Sequence, residues 1–308
     1  MSNIICFWSK YDNETNINDW LYKEIELNDF HKFSLLSQLK YNKNVYLYTY
    51  QNLKNVPEGI NVEYAGKIFN ENLAFRSLKL GHHIAHISDI VRMRMAIMLN
   101  GVIMDMDMVA LRPLPDINAF FSTGPAKSEG AMAIKWKDNH PPFNIVDNSW
   151  DGKALSFFPC KVGLDMEKDI WVLIERIKEQ LSRPPIKNTK GWNYIMWSIK
   201  DIANKNPHIK VFQPLYCGVI PVWKGKNNCY SLDYPTKFDG STKLFGYRMP
   251  DIQEILNNSF IVGHYFESAF KGSGKYKNIW DNIKEGSLLY AELEHVLGHQ
   301  WKEILNGN

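Results

Sequence analysis

Residues 85–115, AHISDIVRMRMAIMLNGVIMDMDMVALRPLP, decide the fold and pose the functional question. Apolar residues recur at helical spacing through the first half and stop at Asn100-Gly101, a left-handed terminator, which predicts a helix over 83–99. The apolar run GVIMDMDMVAL that follows reads as a buried strand, yet it carries Asp105 and Asp107. Alternate side chains of a strand face the same way. The two aspartates therefore share a face with Ile103 and Val109, and Met104, Met106 and Met108 take the other. Neighbouring carboxylates repel, and burying them unpaired is costly. A bound Mg²⁺ or Mn²⁺ removes both penalties, since such cations take one or two carboxylates and fill the remaining positions with phosphate oxygens and water. On the preceding helix Asp89 and Arg92 stand three residues apart and so share a face.

Outward from this stretch the pattern alternates. NIICFWS (3–9) reads as a strand, residues 19–40 carry helical spacing through Leu21, Ile25, Phe33, Leu36 and Leu39, and strands follow at 44–50 and 58–66. Strand, helix, strand, strand, helix, strand is the start of an α/β domain. Ligands of open α/β sheets bind beyond the carboxyl ends of the strands, where the aspartates fall. Further on, helices are expected over 166–182, 191–205 and 288–305, with a strand-like segment KVFQPLYCGVIPVW (210–223) between the last two. No repeat or low-complexity linker interrupts the chain, which reads as a single domain over 1–308.

Composition bounds the setting. With 45% hydrophobic and 22% charged residues the 308-residue chain has the balance of a soluble globular protein. A net charge of +3 is too weak and dispersed to argue for nucleic acid by itself. The four cysteines form no CxxC pair, no stretch reaches the ~18 apolar residues of a membrane span, and the N-terminus lacks the features of a secretory signal. A reduced, cytoplasmic protein is the expectation.

The stretch SDIVRMRMAIMLNGVIMDMDMV resembles the D-x-D region of GT-A-fold nucleotide-sugar glycosyltransferases. Within that fold it is most similar to the retaining families with a DXD-containing sugar-binding region: initiating mannosyltransferases, capsular polysaccharide transferases and glucosylating toxins. Ser88, Asp89 and Arg92 match the helix motif of those families, and Gly101, Asp105 and Asp107 match the strand motif. Asn100 replaces a glycine and Met104 stands where tyrosine is frequent. VGHYFESAFK matches the late element at His264 and Ser268, with Ala269-Phe270 in place of tryptophan.

The resemblance implies an α/β GT-A fold, a single Rossmann-like mixed sheet flanked by helices. Residues 1–115 would form the nucleotide-sugar-binding half, and 116–308 the acceptor-side half with a C-terminal helix. It further implies a metal-dependent, retaining hexosyl- or pentosyltransferase acting on a UDP- or GDP-sugar. Asp105, Asp107 and His264 would hold Mn²⁺ or Mg²⁺, and the metal would act as a Lewis acid on the diphosphate. Asp89 and Arg92 would bind donor hydroxyls, Trp8 would stack on the donor base with Tyr50 as a further wall, and Ser268, Lys271 and Lys275 would meet the leaving diphosphate. A surface glycan is the first expectation for the acceptor, with a modified DNA base or a protein side chain also compatible.

Two rivals stand beside this reading. VIMDMDMVAL also fits the signature of haloacid-dehalogenase-type phosphatases, in which the first aspartate is a nucleophile. That motif normally opens a chain, and no later GDxxxD or DD pair completes its magnesium site here. A binding module that retains the fold without turnover is the second. His82, His83 and His86 have no catalytic glutamate between them and read as capping or packing residues.

Overall fold

In the computed structural model the described residues are 2–123, 143–145, 155–185, 201–202, 205–206, 209–212, 217–219, 243–244, 247–248, 251–264 and 283–306. The α/β expectation holds, with one mixed eleven-stranded sheet flanked by helices. Its first part is parallel. Strand β1 (Asn3–Phe7) pairs with β3 (Asn44–Thr49) on one side and β6 (Val102–Ile103) on the other, and β3 continues to β5 (Asn61–Tyr64). The order β5-β3-β1-β6 reverses direction between β1 and β6. Such a reversal opens a crevice at the carboxyl ends of the two strands.

Helix α4 (Ile84–Leu99) packs on β1 and β6 and is positioned by its ends. The side chain of His83 caps it by accepting the Ala85 amide at 3.2 Å. Asn100 ends it in the left-handed region at φ 46°, a conformation that asparagine tolerates better than most residues. Gly101 then lets β6 approach β1, since a Cβ there would lie 2.9 Å from Cγ1 of Ile5 and 3.2 Å from the Asn3 carbonyl oxygen.

The expected strand GVIMDMDMVAL is two strands. After β6 the chain turns through 104–107, and β7 (Met108–Ala110) begins a new pairing with β15 (Ile261–Gly263). Along the sheet β6 is followed by β10 (Leu155–Lys161), β8 (Phe120–Thr123), β12 (Cys217–Val219), β15 and finally β7. A flat sheet would separate β6 from β7 by about 24 Å, five steps of ~4.8 Å. The five residue steps from Ile103 to Met108 reach at most about 18 Å, so the sheet curls enough to bring the start of β7 within that distance of the end of β6. A turn also exposes carboxylates that a buried strand would have desolvated. The burial alternation survives without the strand: Met104, Met106 and Met108 lie in the main core, and Asp105 and Asp107 are partly exposed.

The free edge of β7 is covered by helix α2 (Asp29–Tyr41). Ser34 Oγ and Gln38 Nε2 donate to the Met108 carbonyl at 2.6 and 3.2 Å, and the Ala110 amide donates to Ser37 Oγ at 2.9 Å. These contacts satisfy backbone groups that would otherwise invite pairing with another chain. They also explain why the helix buries serine and glutamine.

Two further expectations are corrected. The helical spacing over 19–40 is divided into α1 (Ile17–Leu21), β2 (Glu24–Glu26) and α2. Asn28 caps α2 by accepting the His31 amide, and Asn55 exchanges hydrogen bonds with the Leu27 backbone, so the chain is diverted before the helix begins. β2 instead pairs with β4 (Asn52–Lys54), a strand the sequence reading lacked. The C-terminal helix is split by Gly298 at φ 80° into α7 (Leu288–Leu297) and α8 (Trp301–Asn306). Helix α5 (Glu167–Leu181) falls where expected, and α6 (Ile252–Asn258) is additional. Most of the helix expected over 191–205 lies outside the described residues. Among the described residues no helix is long and apolar enough to cross a membrane.

Replacing Gly101 by Ala is expected to lower stability by about 1–3 kcal/mol in urea unfolding, because strand β1 is in the way. Asn100→Gly keeps the left-handed turn and leaves the unfolding midpoint close to wild type.

Candidate functional site

Three of the sequence-predicted residues meet at the carboxyl end of β6. The Arg92 guanidinium donates from Nη2 to Asp89 Oδ1 at 3.1 Å and from Nη1 to the Met104 carbonyl at 2.9 Å, and Nη1 also forms a short ion pair with Asp105 Oδ1. Asp89 has no exposed surface and the Arg92 side chain retains 4%, whereas the Asp105 carboxylate keeps 33% and faces the opening. Buried charges of this kind persist only when paired and hydrogen-bonded. Arg92 supplies both, and its planar fork suits several acceptors at once.

Asp89 is the least satisfied member. Its Oδ2 is buried and has no hydrogen-bond partner among the described residues, an arrangement that costs on the order of 1–3 kcal/mol. Burial pushes its pKa up to about 7 against the pull of Arg92, with Asp105 adding to the rise. Burial alone would lower the pKa of Arg92, but the two carboxylates outweigh it, so the guanidinium stays charged. Cys6 and Cys160 lie buried and free near this set. Burial drives the Cys6 thiol up to about 12 against the pull of Arg92, which leaves it inert.

Asp107 follows on the same turn, half-buried, and its carbonyl accepts the His264 amide at 2.9 Å. On the His264 ring, Nε2 lies 2.8 Å from Oε2 of Glu292, and neither side chain has exposed surface. Among the described residues no three His, Cys, Asp or Glu side chains converge as ligands of one ion. Of the expected trio, Asp105 and Asp107 share the turn, and His264, just after β15, is joined to it through the Asp107 carbonyl. The donor set still fits a hard divalent cation. Two partly exposed carboxylates on one turn are what Mg²⁺ or Mn²⁺ takes from protein when phosphates and water complete the shell.

Across the crevice, Trp8 follows β1 and is anchored by its amide to the Tyr48 carbonyl at 2.9 Å. Its ring packs at 3.9 Å between centroids on His31, with Lys10 Nζ 6.0 Å away. Burial, helped by Lys10, pushes the His31 pKa down to about 3, so the partner ring is neutral. Trp8 is half-buried. Tyr50 does not join it. It is 2% exposed, donates its hydroxyl to the Phe69 carbonyl at 2.7 Å and packs on Trp20, which makes it a core residue rather than a wall of the site. Ser268, Lys271 and Lys275 lie outside the described residues. His83 is the cap expected of it, and His82 Nε2 lies 2.6 Å from the Arg183 carbonyl oxygen.

Sequence reasoning missed Glu292 and His31. A signal for Glu292 existed: it stands three residues after Leu289 and four before Val296, on the apolar face of α7. The polar stripe Ser34, Ser37 and Gln38 of α2 gives no comparable sign of the strand it covers.

No family model matches the chain, and no curated protein matches it. Among solved structures it is similar to the PaToxG glycosyltransferase, at 12% identity and TM-score 0.34 over 67% of this chain and 74% of that one. It is also similar to the glycosyltransferase GlyE of Streptococcus pneumoniae TIGR4, at 10% identity and TM-score 0.40 over 99% of this chain and 62% of that one.

Asp89 makes stability pH-dependent. Its folded pKa of about 7 lies above the ordinary 3.8. Its contribution is therefore fully present below pH ~4 and lost as pH rises through ~7, because the folded state keeps a proton that the unfolded state has released. The stability of wild type relative to Asp89→Asn, from urea unfolding at several pH values, is expected to fall across that window.

Proposed function

We propose that the chain is a glycosyltransferase of the GT-A type that moves a sugar from a UDP- or GDP-sugar to a hydroxyl acceptor. The observation that carries this reading is the switch point between β1 and β6, with Trp8 just after β1 and, just after β6, Asp105 paired to Arg92 and then Asp107. An aromatic rim suits a nucleobase, and a carboxylate turn suits a cation-bound diphosphate.

In this reading Asp105 and Asp107 would hold Mn²⁺ or Mg²⁺. His264, the third ligand that the resemblance implies, adjoins them through the Asp107 carbonyl. When bound, the cation would supply Lewis-acid stabilisation of the negative charge that develops on the leaving diphosphate. Arg92 keeps Asp105 and Asp89 in place and adds fixed positive charge beside the phosphates. Asp89, which has no exposed surface, acts by holding the Arg92 guanidinium rather than by meeting the sugar itself. The bond from the anomeric carbon to the phosphate oxygen breaks, the acceptor oxygen takes its place, and the departing phosphate oxygen takes the acceptor proton. With retention of configuration no separate base is required, in accord with the resemblance to retaining families. A surface glycan is the acceptor we favour. A phosphatase with Asp105 as nucleophile is disfavoured because no later GDxxxD or DD pair completes its magnesium site.

A panel of UDP- and GDP-sugars, incubated with Mn²⁺ or with EDTA and assayed for free nucleoside diphosphate, tests the proposal. One donor is expected to be split, with activity abolished by EDTA and lowered on the order of 100-fold or more in Asp107→Asn. Turnover of phosphate monoesters with no donor cleaved would overturn it.

A further inference from the structure

Glu292 is hard to explain as a packing residue. It sits on the core face of α7 among Leu288, Leu289 and Leu293, all with 0% exposure, and is itself fully buried. A buried carboxylate loses several kcal/mol of hydration. Among the described residues neither carboxylate oxygen makes a hydrogen bond, and the close polar neighbour is Nε2 of His264, an ion-pair contact 2.8 Å from Oε2. Replacing such pairs with apolar side chains is often neutral or stabilising, so stability alone does not account for an acid here.

Docking of α7 does not depend on it either. Lys40 Nζ donates to the Val296 carbonyl at 2.7 Å, His295 Nε2 lies 3.0 Å from the Leu111 carbonyl oxygen, and Leu289, Leu293 and Val296 pack with Phe30, Phe33 and Val109. Phe30 also lies edge-on to the His264 ring, 5.5 Å between centroids. What Glu292 adds is a link to the aspartate turn. It contacts the His264 ring, and the His264 backbone amide donates to the carbonyl of Asp107. A carboxylate this close constrains where the imidazole can lie, and groups outside the ligand set commonly tune metal sites they do not touch.

We propose that Glu292 is a positioning residue: through His264 it sets the turn bearing Asp107 in the register that binds a divalent cation together with a nucleoside diphosphate. This rests on the donor-site reading above. It assigns the C-terminal helix a part in the chemistry of a turn that lies nearly two hundred residues earlier in the chain.

Binding of Mn²⁺ to the full chain, followed by the electron paramagnetic resonance signal of free Mn²⁺ with UDP and separately with GDP, tests it without any activity measurement. Wild type, Asp107→Asn, Glu292→Gln and Glu292→Leu are compared, each with its thermal midpoint. The isosteric Glu292→Gln is decisive if Glu292→Leu fails to fold. Glu292→Gln is expected to hold its midpoint within a few degrees and to bind Mn²⁺ about tenfold more weakly or worse. Wild-type affinity in Glu292→Gln, whatever its midpoint, would overturn the proposal and leave Glu292 a structural residue. Binding lost in Asp107→Asn but kept in Glu292→Gln would overturn it while preserving the donor-site reading. No Mn²⁺ binding by wild type with either nucleotide would remove that reading and this proposal together.

Discussion

The Arg92 guanidinium joins helix α4 to the turn after β6, and the rest of the site depends on that connection. One side chain answers two carboxylates and a main-chain carbonyl, so the charges it gathers can stand at the edge of a core made of methionine, isoleucine and cysteine. Remove it and Asp89 becomes an uncompensated buried charge, a change that ordinarily costs about 3–5 kcal/mol. The positions of Asn100 and Gly101 follow from the same requirement. Helix α4 must end abruptly and β6 must press against β1 for Arg92 to reach the Met104 carbonyl.

From Asp105 onward the turn passes into a second setting. β7 is held on one edge by β15 and on the other by the serine and glutamine side chains of α2. Val109 and Leu111 enter the apolar cluster built with α6, α7 and α8, whereas Met104, Met106 and Met108 belong to the main core. The aspartates thus occupy the seam between two hydrophobic clusters, where the backbone is fixed from both sides and the carboxylates stay partly exposed. The proposed binding of a cation and diphosphate calls for a turn held in this way.

Much of this was legible in the sequence, and the exceptions share a cause. The parallel strands, helix α4 and its asparagine stop are local patterns, and periodicity with cap chemistry is enough to find them. The pairing of Asp89 with Arg92 is also local, since both lie on one helix face. The break inside GVIMDMDMVAL was not readable from alternation. A turn that keeps methionines inward and aspartates outward has the same burial pattern as a strand, and only the later pairing of β7 with β15 tells them apart. Tyr50 was misplaced for a similar reason, because a tyrosine at a strand end serves equally as core or rim until its hydroxyl partner is known. The link from Glu292 to His264 joins residues of different elements, and no spacing rule covers it.

The most direct test is crystallographic: data at the manganese absorption edge from the protein grown with Mn²⁺ and a nucleoside diphosphate. An anomalous peak shared by the Asp107 carboxylate and the diphosphate, with the base against Trp8, is the predicted result. A nucleotide bound away from the β1–β6 crevice, or bound there with no metal between it and the aspartate turn, would contradict it.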